Sequence, residues 1–244
     1  MPTNPSIPGL YGIRGVMSVF HLLVEGERAW LIDTGLVGEP VLLRRLLRRL
    51  GLAPGAIEGV LLTHGHLDHA GNLAEIKEWT GARVVGHPAE QRHVDGCYPY
   101  QGAARWCGRL EALGRWAFRY RPALIDEPIG DGDVLPFWGG LRVVHLPGHT
   151  DGHCGFYSEK HDLLFSGDLF ASYWFNTHLS LRMFTSQPEL MPGSLRKVLE
   201  IDPRWIVPNH YDFLDGALHK RRYAKLCRRV LDRGKGRQIR FARD

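Results

Sequence analysis

Gly59-Val60-Leu61-Leu62-Thr63-His64-Gly65-His66-Leu67-Asp68-His69 runs from an apolar stretch straight into four metal-capable side chains, His64, His66, Asp68 and His69. Imidazole nitrogen and carboxylate oxygen are ligands that zinc and similar divalent ions accept. His64 and His66 stand two apart, so on an extended segment they point to one side, and Asp68 continues that row. His69 breaks the alternation and converges only if the chain turns there. A helical pattern from Leu73 onward makes a strand-to-helix turn at His69 the natural reading. A polar loop between a strand and a helix is the bland alternative.

Upstream, Val16 to Val24 and Ala29 to Asp33 read as a hairpin joined by Glu25-Gly26-Glu27. Asp33-Thr34-Gly35 ends its second strand. There Asp33 either forms the turn or orients a ligand histidine from behind. Glu39-Pro40 opens a helix with Leu43, Leu46, Leu47 and Leu50 on one face, arginines on the other and Gly51 as its stop. Downstream, Val60 to Thr63 is a strand, Leu73 to Trp79 a helix ended by Gly81, and Arg83 to Gly86 a short strand. This alternation implies an α/β architecture.

The pattern changes from His87 to Arg121, a segment rich in aromatics and arginines. Trp106, Leu110, Leu113 and Ala117 share one helix face, which suits ordinary packing, a lid or a dimer surface. His87 and His93 are expected to be structural or exposed. Further on, Leu141 to Leu146, Cys154 to Ser158 and Leu163 to Phe165 read as strands. Pro147-Gly148-His149-Thr150-Asp151-Gly152-His153 follows the first of these, and Ser166-Gly167-Asp168 ends the last. A helix over Ser194 to Glu200, a strand over Trp205 to Val207 and a turn at Pro208-Asn209-His210-Tyr211 come next. The final helix carries Tyr223, Leu226, Cys227, Val230 and Leu231 on one face and closes at Gly234.

The full chain has 244 residues, 44% of them apolar, with a net charge of +5, 13 histidines and 4 cysteines. That length and apolar fraction support a sizeable core. The cysteines form no CxxC pair, which argues against a disulfide framework and against a zinc ribbon. The first fifteen residues are rich in proline and glycine with no apolar run, so no secretory leader is expected and a cytoplasmic location follows by default. The basic excess reads as the wet side of a helix plus a basic tail, although it also suits an anionic partner.

Four strand ends therefore carry ligand types: HxHxDH, His149, Asp168 and His210. In this order they resemble the metallo-β-lactamase superfamily, especially its glyoxalase II-like hydrolases, over about residues 15–86 and 130–212. The resemblance implies an α/β four-layer αβ/βα sandwich with a helical insertion around 87–125. One such domain would span 1–244, with a basic C-terminal helix and tail at 213–244. It also implies two divalent ions, zinc by preference with iron or manganese as alternatives. His64, His66 and His149 would hold one, Asp68, His69 and His210 the other, and Asp168 would bridge them. Such a pair shares a water and lowers its pKa from about 15.7 toward about 7, so that a bridging hydroxide attacks the substrate. Asp68 would also hold that nucleophile in line. Asp33 matches the family's Asp-Thr-Gly strand end, which favours support of a ligand. His153 lies outside the seven-ligand pattern, and Cys154 reads as core. Asn209 stands where the family commonly has glycine.

Tyr173, Trp174, His178, Arg182 and Tyr211 are the candidates for substrate contact. A small-molecule thioester, ester or lactone, anionic in some cases, is the favoured substrate. A phosphodiesterase or nuclease is the alternative, with nucleic acid as the less favoured partner. β-Lactamase-like amide hydrolysis would be a minor activity, and a non-catalytic metal-binding module is the third class. No membrane association is expected, and a homodimer is allowed. The short stretch after His210 leaves little of the helical C-terminal domain of glyoxalase II enzymes, which counts against glutathione specificity.

Overall fold

The computed structural model describes residues 7–231. These divide into two compact units, residues 7–99 with 108–130, and residues 100–107 with 131–231.

The first unit is built on a six-stranded sheet in the order β1 (Leu10–Arg14), β2 (Val19–Glu25), β3 (Arg28–Ile32), β4 (Ile57–Leu62), β5 (Arg83–Gly86), β6 (Glu127–Pro128). β1, β2 and β3 pair antiparallel, and β3 to β6 pair parallel. The parallel strands read as continuous apolar runs because neither face of such a strand meets water. Helix α1 (Pro40–Leu50) connects β3 to β4. Proline opens it, and Gly51, left-handed at φ 69°, closes it with its N–H on the carbonyls of Arg48 and Leu47. Arg48 and Arg49 fall in its last turn, where the helix dipole favours cations. Leu43 and Leu47 are buried with Leu22, Leu31, Val60 and Leu62, and Ile76 of α3 (Leu73–Thr80) joins the same core. Between β4 and α3 lies a single helical turn, α2 (Leu67–Ala70). After β5 come α4 (Gln91–Val94) and α5 (Arg105–Ala117). The first three residues of α5 belong to the second unit's span.

β1 falls within the proline- and glycine-rich start of the chain, which carried no strand signal. It forms because all five of its residues pair with β2. The stripe in the insertion faces outward and is not packed: Leu110 is 52% and Leu113 60% exposed. The opposite side of α5 is the one held by the protein.

The second unit carries the sheet β11 (Thr177–His178), β10 (Leu163–Ser172), β9 (Cys154–Ser158), β8 (Leu141–His145), β7 (Val134–Leu135), with β12 (Trp205–Tyr211) parallel to β10. Helices α6 (Met191–Ile201) and α7 (Gly216–Leu231) pack Leu195, Val198, Tyr223, Leu226 and Cys227 into a core with Val144, Leu164, Phe170 and Ile206. Two expected boundaries move here. Ser166-Gly167-Asp168 does not end its strand, because β10 continues to Ser172 with all ten residues buried. Pro208 to Tyr211 is strand rather than turn. In both cases β10–β12 pairing overrides glycine and proline as local stop signals. The pairing survives by slipping register between Phe165 and Gly167 and again between Gly167 and Ala171. Gly167 is left-handed at φ 53°, which fits a bulge that re-aims the next side chain, Asp168. The stop expected at Gly234 and the basic tail lie outside the described residues.

Candidate functional site

In the first unit β4 delivers the chain at Leu62, and His66 (φ −65°, ψ 152°) caps the short helix α2. The expected alternation therefore holds only as far as His66. Asp68 sits in a helical turn and is not the third member of an extended row. The turn closes with the Ala70 and His69 N–H groups on the His66 carbonyl, at 2.8 and 3.0 Å, and it folds His69 back toward His64. The His64 and His69 ring centroids are 4.1 Å apart, and those of His64 and His66 are 4.8 Å apart. Asp68 Oδ2 is 3.5 Å from His69 Nε2. The His69 carbonyl accepts from both the N–H and the hydroxyl of Thr34, each at 2.8 Å, and the Asp68 carbonyl accepts from Ser18 Oγ at 2.6 Å.

Asp33 organises this cluster from behind. Fully buried and left-handed at φ 61°, it accepts from Thr63 N–H at 2.8 Å, Thr63 Oγ1 at 2.7 Å and His69 Nδ1 at 2.9 Å. The Thr63 hydroxyl has one proton, and a carboxylate only accepts, so that proton goes to Asp33. Thr63 Oγ1 must then accept from His64 Nδ1, 3.0 Å away. One carboxylate thus sets both histidines as Nδ1–H tautomers with the lone pair on Nε2, the form that binds a metal. Thr63 thus takes a role that its place before the first ligand does not by itself assign. Its signal in the sequence is only that a hydroxyl precedes the first ligand type.

In the second unit Asp168 and two histidines converge. Asp168 Oδ2 lies 3.0 Å from His210 Nε2 and 3.6 Å from His149 Nε2. The bulged backbone of Asp168 is pinned on both sides, its carbonyl accepting from Ser180 Oγ at 2.7 Å and its N–H donating to His153 Nε2 at 3.0 Å. His153 donates from Nδ1 to the Leu146 carbonyl at 3.0 Å. It is a fully buried neutral imidazole that ties the end of β8 to the bulge of β10. Cys154 is core.

Of the substrate-contact candidates, Tyr173 reaches His210, its hydroxyl 3.3 Å from Nδ1. His178 lies beside it, ring centroids 6.3 Å apart, with Nδ1 on the Leu179 carbonyl. Trp174 is exposed, and its backbone N–H donates to Asp212 Oδ2. Arg182 is exposed at the start of a 3₁₀ turn. Tyr211 is buried against the His219 ring, 5.2 Å away. His93 is buried, stacked on Tyr98 at 3.7 Å, and burial pushes its imidazole down to about 2. His87 caps a 3₁₀ turn by accepting from Ala89 N–H.

Each unit therefore presents imidazole nitrogen beside carboxylate oxygen, with several of the imidazole N–H faces already tied back. That donor chemistry fits divalent transition ions.

Residues 13–210 match the model of the metallo-beta-lactamase superfamily. The chain belongs to this superfamily of metal-dependent hydrolases and has its α/β sandwich fold. It is 29% identical over 148 residues to a hydroxyacylglutathione hydrolase (GloC) of Haemophilus influenzae. That match covers 59% of this chain and spans 62% of the relative's length. A crystal structure of a metallo-beta-lactamase family protein from Thermus thermophilus superposes with a TM-score of 0.74 at 25% identity. It covers 94% of this chain and 81% of the other. Another solved structure, described as a di-iron-bound form, matches at a TM-score of 0.65 and 28% identity, covering 87% and 96%. Among the described residues no helix is long and apolar enough to cross a membrane.

Proposed function

We propose that the two ligand sets act together as a dinuclear centre that hydrolyses a small-molecule thioester, ester or lactone. His64, His66 and His149 would hold one ion, Asp68, His69 and His210 the other, with Asp168 shared. The observation that carries this reading is the Asp168 carboxylate oxygen set between the Nε2 atoms of His149 and His210. One carboxylate oxygen beside a nitrogen from each ligand set is a donor that would serve both ions. When bound, such a pair supplies an acidified water and positive charge opposite a developing oxyanion.

The chain's own residues then have distinct tasks. Asp33 and Thr63 keep the His64 and His69 lone pairs forward, and His153 holds the Asp168 backbone. Tyr173, beside His210, is placed to donate to a substrate carbonyl oxygen. Trp174 and Phe175, both exposed, offer apolar surface to the acyl or leaving group. The hydroxyacylglutathione hydrolase relative favours thioesters over phosphodiesters. Zinc is the proposed ion, with iron as its rival. Cys97, Cys107, Cys154 and Cys227 form no disulfide with one another, which suits a reducing compartment such as the cytoplasm.

Metal analysis of the purified protein should find two ions per chain. The loaded enzyme should turn over acyl-thioesters or lactones faster than bis(p-nitrophenyl) phosphate. Turnover of the phosphodiester alone would transfer the reading to a phosphodiesterase. Inertness of fully loaded protein toward the whole panel would end the hydrolase reading.

A further inference from the structure

The loop that carries His64 and His66 is gripped by charged side chains from outside the metal-binding motif. Three consecutive peptide groups join His64 to Leu67, and each has such a partner. The Gly65 N–H donates to Glu90 Oε2 at 2.7 Å. The Gly65 carbonyl accepts from Arg115 Nη2 at 3.3 Å. The Leu67 N–H donates to Glu111 Oε1 at 2.9 Å. Peptide groups are planar, so holding three in a row holds the backbone torsions of Gly65 and His66. Those torsions aim the His66 ring.

The holding groups are themselves anchored. Glu90 is fully buried, and the Glu111 and Arg115 side chains are only 12% and 11% exposed. Arg115 also donates to the carbonyls of His93 at 2.7 Å and Val94 at 3.0 Å, and its guanidinium lies 4.3 Å over the Tyr120 ring. Arg115 Nη2 is 3.6 Å from Glu111 Oε2 one helical turn earlier. The fit leaves no slack, because a Cβ on Gly65 would lie 2.5 Å from His93 Cβ and 2.9 Å from Val94 N.

We propose that Glu90, Glu111 and Arg115 are positioning residues that preset the His64–Leu67 loop for its metal. The inward side of the 87–125 segment is then part of the metal-binding apparatus. This rests on the reading of His64 and His66 as metal ligands. The chemistry is charge-assisted hydrogen bonding to backbone, which is stronger than neutral pairing and directional. Both carboxylates accept from the ligand loop, and the Arg115 guanidinium sits beside Glu111.

The test uses full-length protein with four variants, Glu111→Ala, Glu111→Gln, Glu90→Gln and Arg115→Lys, alongside His66→Ala. Chelator competition gives zinc affinity, the visible spectrum of the cobalt-substituted protein gives ligand geometry, and hydrogen exchange reads the Gly65 and Leu67 amides. Glu111→Ala is expected to weaken metal binding about 10–100-fold, the usual cost of losing a group that supports a ligand. It should also shift the cobalt bands and speed Leu67 exchange in the metal-free protein. Glu111→Gln keeps an acceptor oxygen and should recover most of the affinity. Glu90→Gln should speed Gly65 exchange selectively. If Glu90→Gln does not fold, the Glu111 pair and Arg115→Lys carry the test. Folded Glu111→Ala and Arg115→Lys proteins with parental affinity and unchanged cobalt spectra would overturn the proposal. His66→Ala separates the two failures: parental metal affinity in that variant means the ligand assignment itself is wrong. Loss of metal there, with intact binding in the brace variants, condemns the brace alone.

Discussion

Replacing Asp33 by asparagine changes almost no volume and tests the Asp33–Thr63 relay directly. The carboxylate accepts three hydrogen bonds, from Thr63 N–H, Thr63 Oγ1 and His69 Nδ1. An asparagine has two orientations there. With its oxygen on Thr63 N–H, its NH₂ faces Thr63 Oγ1 and His69 Nδ1. Thr63 then accepts from the amide and donates to His64 Nδ1, while His69 Nδ1 also becomes an acceptor. Both imidazoles switch tautomer and present N–H where a metal needs a lone pair. With the amide reversed, the tautomers survive, but NH₂ opposes the Thr63 N–H in a fully buried site. That leaves donors unsatisfied at about 1–3 kcal/mol each, and two charge-assisted bonds worth about 1.5–3 kcal/mol apiece become neutral. Asp33→Asn must therefore lose either metal affinity, by about 10–100-fold for each ion concerned, or several kcal/mol of folding stability. Chelator competition, thermal unfolding of the metal-free protein and ¹⁵N shifts of the imidazole nitrogens separate the two outcomes. A variant with parental affinity, parental stability and unchanged tautomers would show that the relay does not exist.

His66→Ala and Asp168→Ala are each expected to strip metal and abolish hydrolysis, read by metal analysis and turnover; full metal content with full activity in either counts against the ligand assignment. His153→Leu strands the Leu146 carbonyl and the Asp168 N–H, both now partnered by the ring. Two buried groups left unsatisfied predict about 2–6 kcal/mol of destabilisation in denaturant titration. Gly65→Ala should lower the melting temperature and metal affinity together, because His93 and Val94 leave no room for a methyl. Burial holds the His219 imidazole down to about 4 against an ordinary 6.5. The unfolded chain therefore binds more protons between those values. The stabilisation is complete above about pH 6.5 and is lost as pH falls toward 4, amounting to about 3 kcal/mol. Metal-free protein should melt progressively lower from pH 7 to pH 4, and His219→Gln should flatten that dependence; an unchanged slope would refute it.

Local chemistry alone was enough for part of this molecule. The amphipathic helix opened by Pro40 and stopped by Gly51, the apolar strands before Thr63 and the ligand types at His64, His66, Asp68 and His69 are legible because propensity, period and spacing act over a few residues. Periodicity also grouped Trp106, Leu110, Leu113 and Ala117 on one face of a helix, yet it carries no information on which side meets the protein. Glu111 and Arg115 took the inward side because the peptide groups of a loop more than forty residues earlier needed charged partners. Asp168 and His210 lay beyond apparent stop signals, since glycine and proline end strands locally while pairing between β10 and β12 absorbs them as bulges. Thr63 and His153 gain their roles only when distant backbone and side-chain atoms arrive within 3 Å of them. A hydrogen bond across thirty residues leaves no trace in the spacing of the residues that make it, so those roles belong to the tertiary structure.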